Sequence, residues 1–230
     1  MLVRAVGSAG ARWPEVVLRH GERPADAAVR AVLSADGRVV EVVRPVSVAH
    51  ALVDGASVLS VELAVQPRTT TRPNASVPPP AAGAVLFRRL AAYAVVLLDD
   101  RLLLTQLSQD TPAPGAWTLP GGGIDPGESP LRAVVREVHE ETAHELVDPQ
   151  LLEVDSTHFT GRSPSGRIED FHGIGVVYRA RVREQFEPRV IEVCGSTAWA
   201  AWVPLDRLPG LLMSPLSRER LDRVLRLATA

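Results

Sequence analysis

Hydrophobic positions along the chain fall into stretches with strand spacing and stretches with helix spacing. The segment LAAYAVVLLDDRLLLTQLS predicts two strands joined at Asp99-Asp100, because apolar runs flank a turn-forming pair. Residues 130–142 predict a helix, with Ser129 and Pro130 as its start. The predicted buried face of that helix is a set of apolar side chains at helical spacing: Leu131, Val134, Val135 and Val138.

The remaining pattern predicts an α/β layered domain over residues 86–230. ELVDPQLLEVDSTHF and FHGIGVVYRARV are typical of strands around a polar loop, AWAAWVPLDRLPGL of a strand and a turn, and SPLSRERLDRVLRLA of an amphipathic helix. Residues 66–85 are rich in Pro, Thr and Ser, which predicts an extended linker. Residues 1–65 then form a small α+β segment of their own.

Composition narrows the class of protein. The net charge is −2 and every basic residue is arginine, which argues against a nonspecific binder of nucleic acid or membranes. No apolar run approaches the ~20 residues of a membrane span, and a cytoplasmic protein is expected. The single Cys194 excludes an internal disulfide and a cysteine-based zinc site.

Three acids crowd the last turns of the predicted helix. Glu137, Glu140 and Glu141 are three or four residues apart, so they share roughly one face, opposite the valines, and repel by ~0.2–0.5 kcal/mol per pair. The helix dipole also disfavours anions at this end. A divalent cation would offset the repulsion, and Mg²⁺ prefers such oxygen ligands. The glycines at 121–123 would let the backbone approach a metal or a phosphate.

The spacing of these residues resembles the Nudix hydrolase box G-x5-E-x7-R-E-U-x-E-E-x-G-U, in which U is a bulky apolar residue. The residues in register with the box are Gly122, Glu128, Arg136, Glu137, Val138, Glu140 and Glu141. AWTLPGG and WVPLDRLP are also similar to Nudix sequences, so the resemblance covers about residues 88–215. It implies a Nudix-type α/β/α sandwich with a mixed sheet.

Two positions depart from the box. Ala143 stands where the family has a glycine that ends the helix, and His144 stands where it has an apolar residue. Alanine in the left-handed conformation costs roughly 1 kcal/mol, so a stability cost is expected.

The resemblance implies a role for each matching residue. Glu137, Glu140 and Glu141 would bind Mg²⁺ or Mn²⁺, with the carbonyl of Gly121 as a further ligand. Arg136 would pair with Glu128 and orient the acids. Glu141 is the first choice as the base that takes a proton from water.

A polar loop offers alternatives outside the box. Glu169 or Asp170 could be the base instead, because family members also use an acid from a distant loop; the simpler alternative is that each is a solvated loop end. Arg162 and Arg167 could hold substrate phosphates, or they could equally be solubility residues. After GST at 195–197, where many Nudix sequences have an acidic pair, this chain has Ala198 and Trp199, so no acid is expected there.

An acid-free segment near the N-terminus is similar to the box. Residues 21–37 align with 127–143 without gaps, and they agree at Gly21, Glu22, Pro24, Ala27, Val29, Arg30 and Val32. Glu137, Glu140 and Glu141 correspond to Ala31, Ser34 and Ala35. The hypothesis is a degenerate half-domain without the opening strands, with a helix near 24–35 and strands near 38–48 and 56–65. Two amphipathic helices of similar composition are the simpler alternative.

The predicted function is divalent-metal-dependent hydrolysis of a diphosphate linkage in a small nucleotide. Nucleoside triphosphates, ADP-ribose, dinucleotides and nucleotide sugars are all open as substrates. The alternative is a catalytically silent Nudix-fold module that senses a nucleotide or binds a partner. Isomerisation of an isoprenoid diphosphate is disfavoured, because Cys194 has no supporting motif. The N-terminal segment could pack on the catalytic domain, cover its cleft or form a homodimer.

Overall fold

The computed structural model describes residues 1–68, 79, 82–163, 166–192 and 195–229. Most of the predicted linker lies outside these residues, as does Cys194. Among the helices of the described ranges, none has the length and apolar character needed to cross a bilayer.

Eleven strands and three α-helices alternate along the described chain, which confirms the predicted α/β class. The elements are β1 Leu2–Val6, β2 Val16–Val17, α1 Pro24–Asp36, β3 Val40–Val53, β4 Ala56–Pro67, β5 Val85–Leu98, β6 Arg101–Leu107, β7 Trp117–Thr118, β8 Gly121–Gly123, α2 Pro130–Thr142, β9 Leu146–Arg162, β10 Ile168–Val182, β11 Thr197–Pro204 and α3 Pro215–Thr229. Short 3₁₀ helices occupy Ser8–Gly10 and Leu205–Gly210.

The chain divides into two compact units, and both are built from separated segments. The first unit comprises 1–90, 125–129 and 153–176, and the second comprises 91–124, 130–152 and 177–230. Three segments of the predicted domain 86–230, namely 86–90, 125–129 and 153–176, therefore belong to the first unit. The boundaries at 65 and 85 stay a prediction.

The first unit contains a four-stranded sheet in the order β2-β1-β4-β3. β1 and β4 are parallel, whereas β3 and β4 form a long antiparallel hairpin around Asp54 and Gly55, both with positive φ. Helix α1 packs on β1 and β3. The prediction that this segment lacks opening strands is wrong, because β1 supplies a buried central strand through Val3 and Ala5.

The second unit forms around the hairpin of β5 and β6, as predicted, with the turn at Asp99-Asp100. β6 pairs with β11 and β7, and the β5 residues Ala91–Tyr93 pair with β8. The strand order in the larger sheet is β11-β6-β5-β10-β9. A buried core that includes Val95, Leu104 and Val224 joins these strands to α3, which confirms the packing role predicted for the last helix.

The two similar segments fold alike in detail. α1 and α2 each have thirteen residues and start at the aligned prolines, Pro24 and Pro130. Gly37 after α1 and Ala143 after α2 both adopt the left-handed conformation, with φ of 72° and 61°. The similarity therefore extends from the sequence to the length and the ends of both helices.

A buried ion pair fixes α1 at its start. The guanidinium of Arg30 donates to both oxygens of Glu22, with distances of 2.8 and 2.9 Å, and Glu22 is 5% exposed. Burial raises the pKa of Glu22, but the hydrogen bonds from Arg30 and from the N–H of Arg19 outweigh it and hold the pKa below its usual value. These residues align with Glu128 and Arg136 of the box.

Replacing Arg30 with methionine should destabilise the protein by about 3–5 kcal/mol, because the substitution leaves a buried carboxylate without its cation. Urea unfolding followed by circular dichroism measures the change. Arg38→Met is the matched control: the Arg38 side chain is 68% exposed in its pair with Asp36, so a loss below about 1 kcal/mol is expected. Equal losses in the two variants would contradict the buried pair.

Candidate active site

The three acids of α2 differ in their exposure. The side chains of Glu137 and Glu140 are 15% and 35% exposed, whereas Glu141 is 2% exposed. Glu141 follows Val134 and Val138 at i+7 and i+3, which places it on the buried face. The expectation that all three acids lie opposite the valines is therefore wrong for Glu141.

The buried face of α2 also differs from the predicted one. Val134 and Val138 are fully buried, but Leu131 and Val135 are 42% and 39% exposed. The buried positions of the first turns are those of Pro130 and Ala133. The buried stripe therefore runs through Val134, Val138 and Glu141 and leaves Leu131 and Val135 largely exposed.

Arg136 holds two of the acids and the glycine loop. Its Nη1 donates to Glu137 Oε1 at 2.9 Å and to Glu140 Oε2 at 3.1 Å, while Nη2 donates to the carbonyl of Gly123 at 3.1 Å. The fork of a guanidinium makes several such bonds at once, which fixes the carboxylates in place. The orienting part of its predicted role thus has a geometric basis. Its pairing with Glu128 stays a prediction.

The glycine loop packs directly on the acids. The N–H of Gly121 donates to Glu141 Oε2 at 2.8 Å, and Thr197 donates to Glu141 Oε1. A Cβ at Gly121, where φ is +136°, would lie 2.2 Å from the carbonyl oxygen of Ala92. A Cβ at Gly122 would lie 2.6 Å from the Glu137 carboxyl group. A side chain at Gly121 would therefore clash with the β5 backbone, and one at Gly122 would clash with the Glu137 carboxyl group.

Burial and mutual repulsion shift the titration of two acids. The pKa of Glu141 is raised to about 8, mainly by burial; the bonds from Thr197 and Gly121 oppose the shift, and the charges of Glu137 and Glu192 add to it. Burial also raises the pKa of Glu137, with contributions from Glu140 and Glu192. Carboxylates held together in this way favour binding of protons or cations.

Glu192 is an acid that the sequence reasoning missed. Its N–H donates to the carbonyl of Glu140 at 3.0 Å, and its charge acts on both Glu137 and Glu141. A Cβ at Gly195 would meet the Glu192 carboxylate, so the glycine makes room for it. This acid precedes Gly195 in the sequence rather than following it. The only signal in the sequence was that Glu192 lies three residues before Gly195, close to the place where many Nudix sequences have an acidic pair.

The two departures from the box are accommodated without disturbing the acids. Ala143 takes the left-handed conformation expected for a helix-ending glycine, and its N–H donates to the carbonyl of His139 at 2.8 Å. His144 is fully buried and stacks on Phe186, with ring centroids 4.1 Å apart, beside the edge of Trp202. Burial lowers the pKa of His144, so the ring is neutral and packs as an apolar residue would.

The other candidate residues lie in the first unit, whereas the acids of α2 lie in the second. Glu128 accepts from the N–H of Asp125 at 3.2 Å. Arg162 donates to the carbonyl of Gly166, and Arg167 lies 3.7 Å from Glu169. Asp170 is 1% exposed and contacts histidines, so its interpretation as a solvated loop end is wrong.

The two glycines of the loop should respond differently to alanine. Gly122→Ala should fold with little loss of stability, because the atom in its way is the end of a flexible side chain, but Glu137 must move and metal affinity should fall. Gly121→Ala should lower the melting temperature instead, because its Cβ meets backbone atoms. Calorimetric Mg²⁺ titration and thermal melts test the pair. A Gly122→Ala protein with unchanged Mg²⁺ affinity would contradict this geometry.

Glu141 should make the metal-free protein lose stability as pH rises. Its folded-state pKa of about 8 exceeds the usual glutamate value of 4.5, so the stabilisation is complete below pH 4.5 and is lost by about pH 8. The loss cannot exceed about 1.4 kcal/mol per pH unit. Glu141→Gln removes this contribution, so urea unfolding in EDTA should favour the variant increasingly at high pH. If the free energies of unfolding of the two proteins changed with pH in the same way, the raised pKa of Glu141 would be contradicted.

Comparisons with known proteins identify the family of this chain. The model of the NUDIX domain matches residues 87–226. An RNA pyrophosphohydrolase of Rhizobium meliloti is 32% identical over 128 residues, 49% of this chain and 72% of that protein. An uncharacterized Nudix hydrolase of Bacillus subtilis, YvcI, is 42% identical over 57 residues, 25% of this chain and 34% of that protein.

Solved structures include similar folds. The NUDIX domain of Shewanella oneidensis NrtR, complexed with ADP ribose, has a TM-score of 0.50 and 25% identity, and the similarity covers 63% of this chain and 90% of that one. The chain spans between a third and three quarters of the two curated relatives named above. Because the family model matches more than half of its residues, the chain belongs to the Nudix hydrolase family.

Proposed function

We propose that this protein is a metal-dependent pyrophosphohydrolase that breaks the diphosphate linkage of a nucleoside diphosphate derivative. The observation that carries the proposal is the group of acids on α2, which Arg136 and the Gly121 N–H hold together although their charges repel. An arrangement that raises the pKa values of two carboxylates is unfavourable without a cation. A structural helix would gain stability from losing these acids.

The donor set fits Mg²⁺ or Mn²⁺. Glu137, Glu140, Glu141 and the carbonyl of Gly121 supply oxygen atoms alone, which hard divalent cations prefer. Such a cation, when bound, neutralises charge on the bridging oxygens and lowers the pKa of the attacking water. Arg136 keeps two carboxylates in position, and the absence of a Cβ at Gly122 leaves room for Glu137.

The exposure of the acids separates those that bind the metal from the base. The sequence favours Glu141 as the base, but Glu141 is 2% exposed and both of its oxygens accept hydrogen bonds. We therefore assign Glu141 to metal binding. Glu192 is exposed and lies near the acids, so it is better placed to take a proton from water.

The substrate class is supported by the relatives rather than by this chain alone. The relatives include enzymes named for RNA and for CTP, and the NrtR domain was crystallised with ADP ribose. Small nucleotides remain the proposed substrates. Arg162 and Arg167 remain proposed phosphate contacts, with side chains that reach solvent.

The two departures from the box, Ala143 and His144, do not favour the alternative of a silent module. The turn at Ala143 keeps its left-handed geometry, and His144 packs in the core. The N-terminal segment is the feature that supports that alternative. We propose that residues 1–65 are a degenerate copy of the box region, since α1 retains the Glu22–Arg30 pair and has alanine or serine in place of the acids.

Turnover should require Mg²⁺ and collapse in Glu141→Gln. The assay quantifies the products of diphosphate cleavage, which are phosphate monoesters and, from triphosphates, pyrophosphate. The panel contains 8-oxo-dGTP, CTP, ADP-ribose, a dinucleotide, a nucleotide sugar and 5′-triphosphorylated RNA. Glu192→Gln should lower kcat by roughly 10²–10⁴ while calorimetric Mg²⁺ affinity changes little, as expected for a lost base.

Two exposed acids that are neither on α2 nor proposed as the base provide the controls. Glu145→Gln, on a side chain 63% exposed, and Glu187→Gln, in the loop that contains Glu192, should both keep full turnover. Mg²⁺ binding with no turnover on any substrate would favour the sensing module. Full turnover in Glu192→Gln would show that Glu192 is not the base and would favour an acid of α2 in that role. Turnover on RNA alone would contradict small nucleotides as the substrates.

A further inference from the structure

Four polar side chains form a second cluster, within the first unit. His20 precedes α1, His158 lies on β9, and Asp170 and His172 lie on β10. We call these four residues the imidazole cluster. The ring centroid of His20 lies 5.5 Å from that of His158 and 5.3 Å from that of His172. The acids proposed to bind Mg²⁺ belong to the other unit, so the imidazole cluster needs its own explanation.

One carboxylate oxygen joins two of the imidazoles. His20 Nε2 lies 3.1 Å from Asp170 Oδ1, and His158 Nε2 contacts the same oxygen. One ring nitrogen from each of these histidines and one oxygen of Asp170 all lie within 4.8 Å of one another. Nitrogen and oxygen ligands at the corners of a zinc tetrahedron are about 3.4 Å apart, given bonds of about 2.0–2.1 Å. The three atoms can therefore surround one ion after small side-chain movements.

Asp170 is poorly satisfied by the protein groups around it. The residue is 1% exposed, and its second oxygen, Oδ2, has no hydrogen-bond partner among the described residues. A buried carboxylate with an unmet oxygen is costly, and an ion pair evolved only for stability would be expected to use both oxygens. A bound cation would instead compensate the buried negative charge.

His172 closes the cluster without being a ligand. The N–H of Gly21 donates to its Nδ1 at 3.1 Å, so the ring proton of the neutral imidazole is on Nε2. That Nε2 is buried and has no hydrogen-bond partner in the described part of the chain. A protonated nitrogen cannot bind a metal, but it can donate to a water or an anion. Its place beside the other two rings suits such a donor.

We propose that His20, His158 and Asp170 bind a Zn²⁺ ion, with a fourth position left for water or an anion. Two imidazole nitrogens and one carboxylate are a common zinc ligand set, whereas Mg²⁺ prefers oxygen ligands alone. The ion links His20 to strands β9 and β10, whose ligands lie 138 and 150 residues further along the chain. It therefore acts as a clip that holds the N-terminal segment in the first unit.

The first test is metal binding by the full-length, untagged, chelator-treated protein. Zn²⁺ is expected to bind with one ion per chain at this site, and Co²⁺ should give the intense visible absorption of a tetrahedral site. Zn²⁺ should also raise the melting temperature, because it binds the folded state. Absence of the Co²⁺ bands, together with no Zn²⁺ binding at micromolar concentration, would overturn the proposal without any variant.

Variants then locate the ion. His158→Gln and Asp170→Asn should weaken Zn²⁺ binding by more than about 100-fold, and His172→Phe by about 10–100-fold, as is typical of a residue that contacts a ligand rather than the metal. His139→Gln, on an exposed helix position, and Glu141→Gln should bind Zn²⁺ as the unaltered protein does. Unchanged binding in His158→Gln, or loss in Glu141→Gln, would overturn the proposal. Should His158→Gln fail to fold by circular dichroism, His20→Gln replaces it.

Discussion

Repulsion among carboxylates is the constraint on which the second unit depends. Glu137, Glu140 and Glu141 share a short stretch of α2, and Glu192 adds a fourth negative charge from a loop. Each contact around them serves to hold charges that would otherwise separate: the fork of Arg136, the N–H of Gly121 and the hydroxyl of Thr197. The glycine loop has no side chains because the acids and the β5 backbone occupy that space.

α1 and α2 share the features that shape the helix, and only α2 carries the acids proposed to bind metal. Both helices begin at a proline, have the same length and end in a left-handed residue. In α1 the buried residues Ala28 and Ala31 take the positions of Val134 and Glu137 in α2, and Glu22 pairs with Arg30. The glutamate–arginine pair can thus persist without a metal site, because it stabilises the start of the helix by itself.

The two units present different donor chemistry to cations. The acids of α2 offer oxygen atoms alone, while the imidazole cluster offers two nitrogens and an oxygen. The all-oxygen site would therefore favour a hard ion such as Mg²⁺, and the site with imidazole nitrogens would favour a borderline ion such as Zn²⁺.

The sequence by itself determined the features that depend on neighbours three or four residues away. These include the helix over 130–142, the hairpin at Asp99-Asp100, the acidic turn and the left-handed residue at 143, all set by local spacing and backbone preference. Only the tertiary structure decided that Glu141 is buried, that Glu192 approaches the acids, and that His20 meets Asp170. Those outcomes rest on contacts between residues from about 50 to 150 positions apart, and side-chain periodicity carries no information about which distant segments pack together.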